Sequence, residues 1–155
     1  MANHVRQQLR EAVAALLTGL PTTGARVYIG RVHTLVPAEL PCLLISTPDE
    51  PIVETLGVRQ PTIYRRDLEL NVVLMTRTGA DLEAALDAIA KEVEIALGAG
   101  LTLSGNRFYP RLLRMSSILE RDGDLPKGSM TLSYNIAYHT ASNQPDVVKP
   151  VVATS

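Results

Sequence analysis

The run T-I-Y-R-R-D-L-E-L-N-V-V-L-M at residues 62–75 decides how the rest of the chain must be arranged. In an extended backbone, side chains alternate between two faces. Tyr64, Arg66, Leu68, Leu70, Val72 and Leu74 then share one face, and Ile63, Arg65, Asp67, Glu69, Asn71, Val73 and Met75 share the other. One face is oily and the other mostly polar, as in a long strand with a core on one side only. Such a strand needs neighbours for its backbone N–H and C=O groups and helices over its oily face.

Working outward, both requirements are met. C-terminal to the run, residues 76–79 read as a turn and 80–97 as an amphipathic helix. Leu82, Ala85, Leu86, Ile89, Ala90, Val93, Ala96 and Leu97 form its apolar stripe, with Ile95 off the stripe. Glu83, Asp87, Lys91 and Glu94 make a solvated face, and Gly98 is expected to close the helix in a left-handed cap. Residues 101–109 cross back toward the sheet. Residues 111–121 and 129–140 read as two strands around a turn containing Asp122, Gly123, Asp124 and Pro126. In the second of these, Met130, Leu132, Tyr134, Ile136 and Tyr138 point inward, while Thr131, Ser133, Asn135 and His139 point outward.

N-terminal to the run, residues 4–20 read as a second amphipathic helix. Val5, Leu9, Val13, Leu16, Leu17 and Leu20 face the core, and Arg6, Gln7, Arg10 and Glu11 face solvent. Asn3 is the expected N-cap, and Pro21 and Gly24 mark the stop. A short strand at 25–30, a loop through His33 to Pro37, and an apolar strand at 42–46, read as central and covered on both faces, follow. Residues 47–61 show no clear periodicity and read as a long loop or the outer part of an extended hairpin. The fold class is therefore α/β (α+β), a mixed, largely antiparallel sheet with two helices packed chiefly on one face. One domain spans 1–140, and the polar segment 141–155 is expected to be a flexible tail.

Composition narrows function. A chain of 155 residues with 46% hydrophobic and 20% charged residues is globular. With no Trp and one Phe, its core must be mainly aliphatic. A formal net charge of −1, with Arg65–Arg66 as the densest basic cluster, argues against a dedicated nucleic-acid binder. Cys42 is the sole cysteine and reads as a buried, inert thiol. The N-terminus lacks a signal-peptide pattern, and no run approaches the ~20 apolar residues of a membrane helix. The expectation is a soluble protein with no membrane partner.

Catalytic chemistry finds little support. His4, His33 and His139 have neither helical spacing nor a neighbouring Cys, so no metal site is expected. No G-x-S-x-G elbow or phosphate-cradling glycine pattern occurs, so no nucleophile and no cofactor site is expected either. Asp67 and Glu69 share a strand face and could form an acid/base pair. Beside Arg65 they read better as a solvated charged face. Arg65, Arg66, Arg77, Arg107, Arg111 and Arg114 suit the rim of a protein interface.

Three stretches carry a resemblance: R-R-D-L-E-L-N-V-V-L-M at 65–75, D-L-E-A-A-L-D-A-I-A-K-E-V-E at 81–94, and S-M-T-L-S-Y-N-I-A-Y-H-T at 129–140. Their pattern and order resemble the tail terminator proteins of long-tailed bacteriophages, the family of the lambda minor tail protein U. The resemblance covers most of residues 1–140. It implies a non-enzymatic structural protein of the virion, assembled in the host cytoplasm. Such subunits form a hexameric, homo-oligomeric ring on the head-proximal end of the tail tube, ending its polymerisation. Their partners are the major tail tube protein and the head–tail connector of the neck, with DNA only passing through the lumen. On this reading Asp49, Glu50, Glu54, Arg59, Arg65, Arg66, Asp67 and Glu69 are the expected subunit or tube contacts. The alternatives are another head–tail joining or tail completion protein and, from a different class, a small ligand-binding or enzymatic α/β domain with a defined pocket.

Overall fold

A computed structural model describes residues 2–30, 37–56, 60–122 and 125–149. Strand β4 (Ile63–Arg77) and strand β8 (Leu125–Ala141) form its spine. They pair antiparallel along all 15 residues of β4, from Ile63 opposite Ala141 to Arg77 opposite Lys127. The alternation read from the sequence holds. Leu68, Leu70, Val72 and Leu74 of β4 are buried with Leu132, Tyr134, Ile136 and Tyr138 of β8.

Strands β1 (Val27–Ile29) and β2 (Cys42–Ser46) extend the sheet on one side, and β7 (Arg111–Asp122) extends it on the other, giving the order β1–β2–β4–β8–β7. Among the described residues only β1 and β2 run parallel; the remaining pairs of this sheet are antiparallel. Strand β3 (Ile52–Leu56) pairs with the first part of β4. Within the aperiodic segment, Ile52–Leu56 thus form a paired arm, because β4 extends beyond β2 and needs a second partner there.

Helix α1 (Val5–Leu17) and helix α2 (Leu82–Gly98) cover the oily face. Helix α2 lies on β4 and β8, while α1 packs on β1, β2 and β9 (Gln144–Lys149). They bury Val5, Leu9, Val13 and Leu17 from α1, and Leu82, Leu86, Ile89, Val93 and Leu97 from α2. Each large aliphatic side chain so buried stabilises by about 1.5–3 kcal/mol. Ile95, off the stripe, is 65% exposed. A small separate hairpin of β5 (Leu101–Leu103) and β6 (Asn106–Phe108) occupies the crossing segment.

Four local expectations are corrected. His4, not Asn3, caps α1, because its Nδ1 accepts from the Arg6 N–H at 3.0 Å. The helix ends at Leu17 rather than residue 20, and Thr18 takes an extended backbone. Gly98 is still helical, and the left-handed position falls on Gly100 at φ +84°. Glycine is required there twice over, since a Cβ would stand 2.8 Å from the Tyr109 ring. Finally, residues 144–149 are not a free tail. They form β9 (Gln144–Lys149), which pairs with the end of β8 where β7 no longer reaches.

Candidate functional site

Four of the eight residues singled out in the sequence, Arg65, Arg66, Asp67 and Glu69, lie on β4 and do not share one face. The pleat of β4 separates them onto opposite faces. Arg66 points to the helix-covered side and Arg65, Asp67 and Glu69 to the open side, as period two demands. Glu54 sits on β3 opposite Arg65 in the backbone register. Arg59 lies outside the described residues.

On the covered side, the chain leaving β2 runs alongside β4. The Glu69 N–H donates to the Asp49 carbonyl at 2.9 Å, and the Asp67 N–H donates to the Pro51 carbonyl at 3.0 Å. Between these tethers Glu50 turns inward, with its side chain only 6% exposed. The Tyr138 hydroxyl donates to its Oε1, Arg66 Nη1 lies 3.6 Å from the same oxygen, and Arg6 Nε lies 3.9 Å from Oε2. A buried carboxylate is tolerated only with such partners.

The guanidiniums are held in turn. Arg66 Nε donates to Thr140 Oγ1 at 2.8 Å, and its Cζ lies 5.7 Å from the Tyr64 ring centroid. Arg6 donates to the Thr47 carbonyl, and Arg10 Nη1 donates to Thr47 Oγ1 at 2.8 Å. His4, Arg6, Gln7, Arg10, Glu50 and Arg66 line a cleft of about 420 Å³. Three guanidiniums there face one carboxylate, so the cleft suits an anionic or hydrogen-bond-accepting group of a partner.

The electrostatics have identifiable causes. His4 is shifted below its usual value, first by withdrawal from water and then by the Arg66 charge, with Glu50 opposing. It is therefore neutral at pH 7, as its role as an acceptor at the helix cap requires. The Tyr138 hydroxyl is pushed well up, chiefly by burial and then by its bond to Glu50. Tyr134 is pushed up to about 12 by burial and by the Glu94 charge. Both tyrosines stay protonated, so Tyr138 remains a donor to Glu50.

On the open side, Arg65 Nε and Asp67 Oδ1 are 3.6 Å apart, and Asp67 is partly exposed. Asp67 Oδ1 itself is buried and makes no hydrogen bond, so Arg65 is the charge beside it. Arg65, Asp67, Arg107, Tyr109, Arg111 and Asn135 border a second hollow of about 390 Å³. Arg107 is fixed at its rim by bonds to Thr102 Oγ1 at 2.9 Å and the Ala99 carbonyl at 2.7 Å. Among the described residues no three His, Cys, Asp or Glu side chains gather as a metal site. Among the same residues no helix is long and apolar enough to cross a membrane.

Sequence reasoning missed Arg6, Arg10, His4, Thr47 and Tyr138 as members of the cluster. Arg6 and Arg10 lie one helical turn apart and read as solvent-facing. Their four-residue spacing on the flank of an apolar stripe was the available signal.

No family model matches the chain, and no curated protein matches it. Among solved structures, a chain of the virion of a native gene transfer agent (GTA) particle is similar at 23% identity. The match covers 86% of this chain and 92% of that one, with a TM-score of 0.42.

Proposed function

We propose that the protein is a structural subunit of a phage-like virion: a tail terminator that forms a hexameric ring on the head-proximal end of the tail tube. The ring ends tube polymerisation and offers the head–tail connector its attachment surface. The observation that carries this reading is the division of β4 into two interaction surfaces. On one side, the cleft between α1 and β4 gathers Arg6, Arg10, Arg66 and Glu50. On the other, the uncovered sheet face presents Arg65, Asp67, Glu69 and Asn135.

A ring requires two different patches per subunit that meet head to tail. Two polar surfaces on opposite sides of one rigid spine meet that requirement, and arginine–carboxylate contacts give orientation. The resemblance in strand and helix order supplies the tube as the partner.

The reading is tested by adding purified protein to polymerising tail tube protein and measuring tube lengths by electron microscopy. Capped tubes bearing a terminal ring of six copies are expected. Unchanged length distributions and bare tube ends overturn the proposal. The charge-reversing pair R65E and D67R is expected to abolish capping while leaving the fold intact, because both side chains are partly exposed.

A further inference from the structure

Strand β7 is the last strand of its side of the sheet, and among the described residues no strand pairs with its outer edge. Its faces are open as well. Leu113 is 57% exposed, Met115 40%, Ile118 61% and Leu119 48%. A scattered exposed aliphatic needs no explanation, but four on one edge strand beside a bare row of backbone groups form a template for strand addition.

The register with β8 assigns the faces. Met115, Ser117 and Leu119 lie opposite Leu132, Met130 and Gly128, on the helix side. Arg114, Ser116, Ile118 and Glu120 lie opposite Ser133, Thr131, Ser129 and Lys127, on the open side. The bulge between Leu112 and Arg114 leaves a regular stretch from Arg114 onward.

We infer that β7 is the docking edge for a second copy of this chain, paired antiparallel across a two-fold axis at Ser117. In that register Arg114 falls opposite Glu120, Met115 opposite Leu119, Ser116 opposite Ile118, and Ser117 opposite its own copy. The symmetry makes each unlike pair twice. Opposed residues of an antiparallel pair must share a sheet face, and every pair in this register does. A centre at Ser116 puts Arg114 against Ile118 and loses both ion pairs. A centre at Ile118 sets Glu120 against Ser116 and Leu119 against Ser117, and so breaks the Met115–Leu119 match. Of these centres, Ser117 is the one that sets Arg114 against Glu120 and Met115 against Leu119, with Ile118 opposite Ser116. An isologous contact joins two copies and stops, so it is a different contact from the head-to-tail ring, and it covers the edge while the protein is free.

Sedimentation equilibrium on the full chain over a concentration series tests the pairing. The wild type is expected to dimerise. R114E and E120R should each weaken the dimer by about 10-fold through loss and reversal of two cross-strand pairs. The double swap R114E/E120R should restore it. Ser117→Cys should give a disulfide-linked dimer on mild oxidation, since directly opposed residues stand within disulfide reach and Cys42 is buried. Circular dichroism of each variant confirms folding, which these exposed positions should not disturb. A wild type that stays monomeric or forms only larger assemblies, single reversals without effect, a swap that fails to restore, or Ser117→Cys that does not cross-link each overturn the inference. None of these outcomes bears on tube capping, which is measured separately.

Discussion

Strand β8 has two long antiparallel neighbours, and the two fare differently. Along β4, Leu68, Leu70, Val72 and Leu74 are all fully buried. Along β7, Met115 and Leu119 sit on the same sheet face and remain 40% and 48% exposed. Both strands alternate, both carry aliphatic residues on the covered side, and both pair with the same partner. The difference lies above the sheet, where α2 rests on β4 and β8. Strand pairing satisfies the backbone, but only a covering layer makes an aliphatic side chain part of the core.

Truncation gives the largest effect and the most direct way to break this comparison. Leu132→Ala removes a fully buried side chain at the centre of the sheet, and about 2–5 kcal/mol of unfolding free energy should be lost. Leu119→Ala in the monomer should cost no more than about 0.5 kcal/mol. Urea unfolding of both variants decides the matter, and equal losses would mean that β7 is as much core as β4.

The polar end of the same ladder should be nearly as sensitive. Glu50→Ala leaves Arg66 and the Tyr138 hydroxyl without their shared carboxylate, at a cost of about 2–3 kcal/mol. Glu50→Gln, which can still accept from Tyr138, should cost less. If the alanine variant unfolds like wild type, the cluster serves binding and not stability.

A backbone effect comes next. Gly100→Ala forces a side chain into a left-handed conformation and against Tyr109, for about 1–2 kcal/mol, read as a drop in Tm. Substituting Gly98, which is helical and has open space around it, should be neutral or stabilising.

The smallest expected effect is a pH dependence. The folded His4 pKa lies below its reference of 6.5, so the unfolded chain binds the proton more readily. The stability that neutral His4 contributes is present above pH 6.5 and is lost as pH falls through the folded value. Thermal unfolding of His4→Gln should be flatter than wild type across that acidic window.

Much of this architecture was legible in the sequence. The period of two in 62–75 and 129–140 and the apolar stripe of 80–97 give the spine and a covering helix. These patterns are local, and burial on one face forces them. The missed features depend on partners distant in sequence. Residues 144–149 are polar enough to read as a tail, yet they become a strand because β8 extends past β7 and leaves backbone groups to pair. Glu50 sits in an aperiodic segment, and no local signal reveals that Tyr138 and Arg66 await it.

The sequence by itself determined the two long strands of the spine, the two helices and the face each turns to the core, since alternation and helical spacing are properties of consecutive residues. Only the tertiary structure decided that Glu50 meets Arg6, Arg66 and Tyr138 across 44, 16 and 88 positions of chain, and that β7 is left uncovered. Charge pairing and helix coverage act through space, and their outcome depends on where the chain returns.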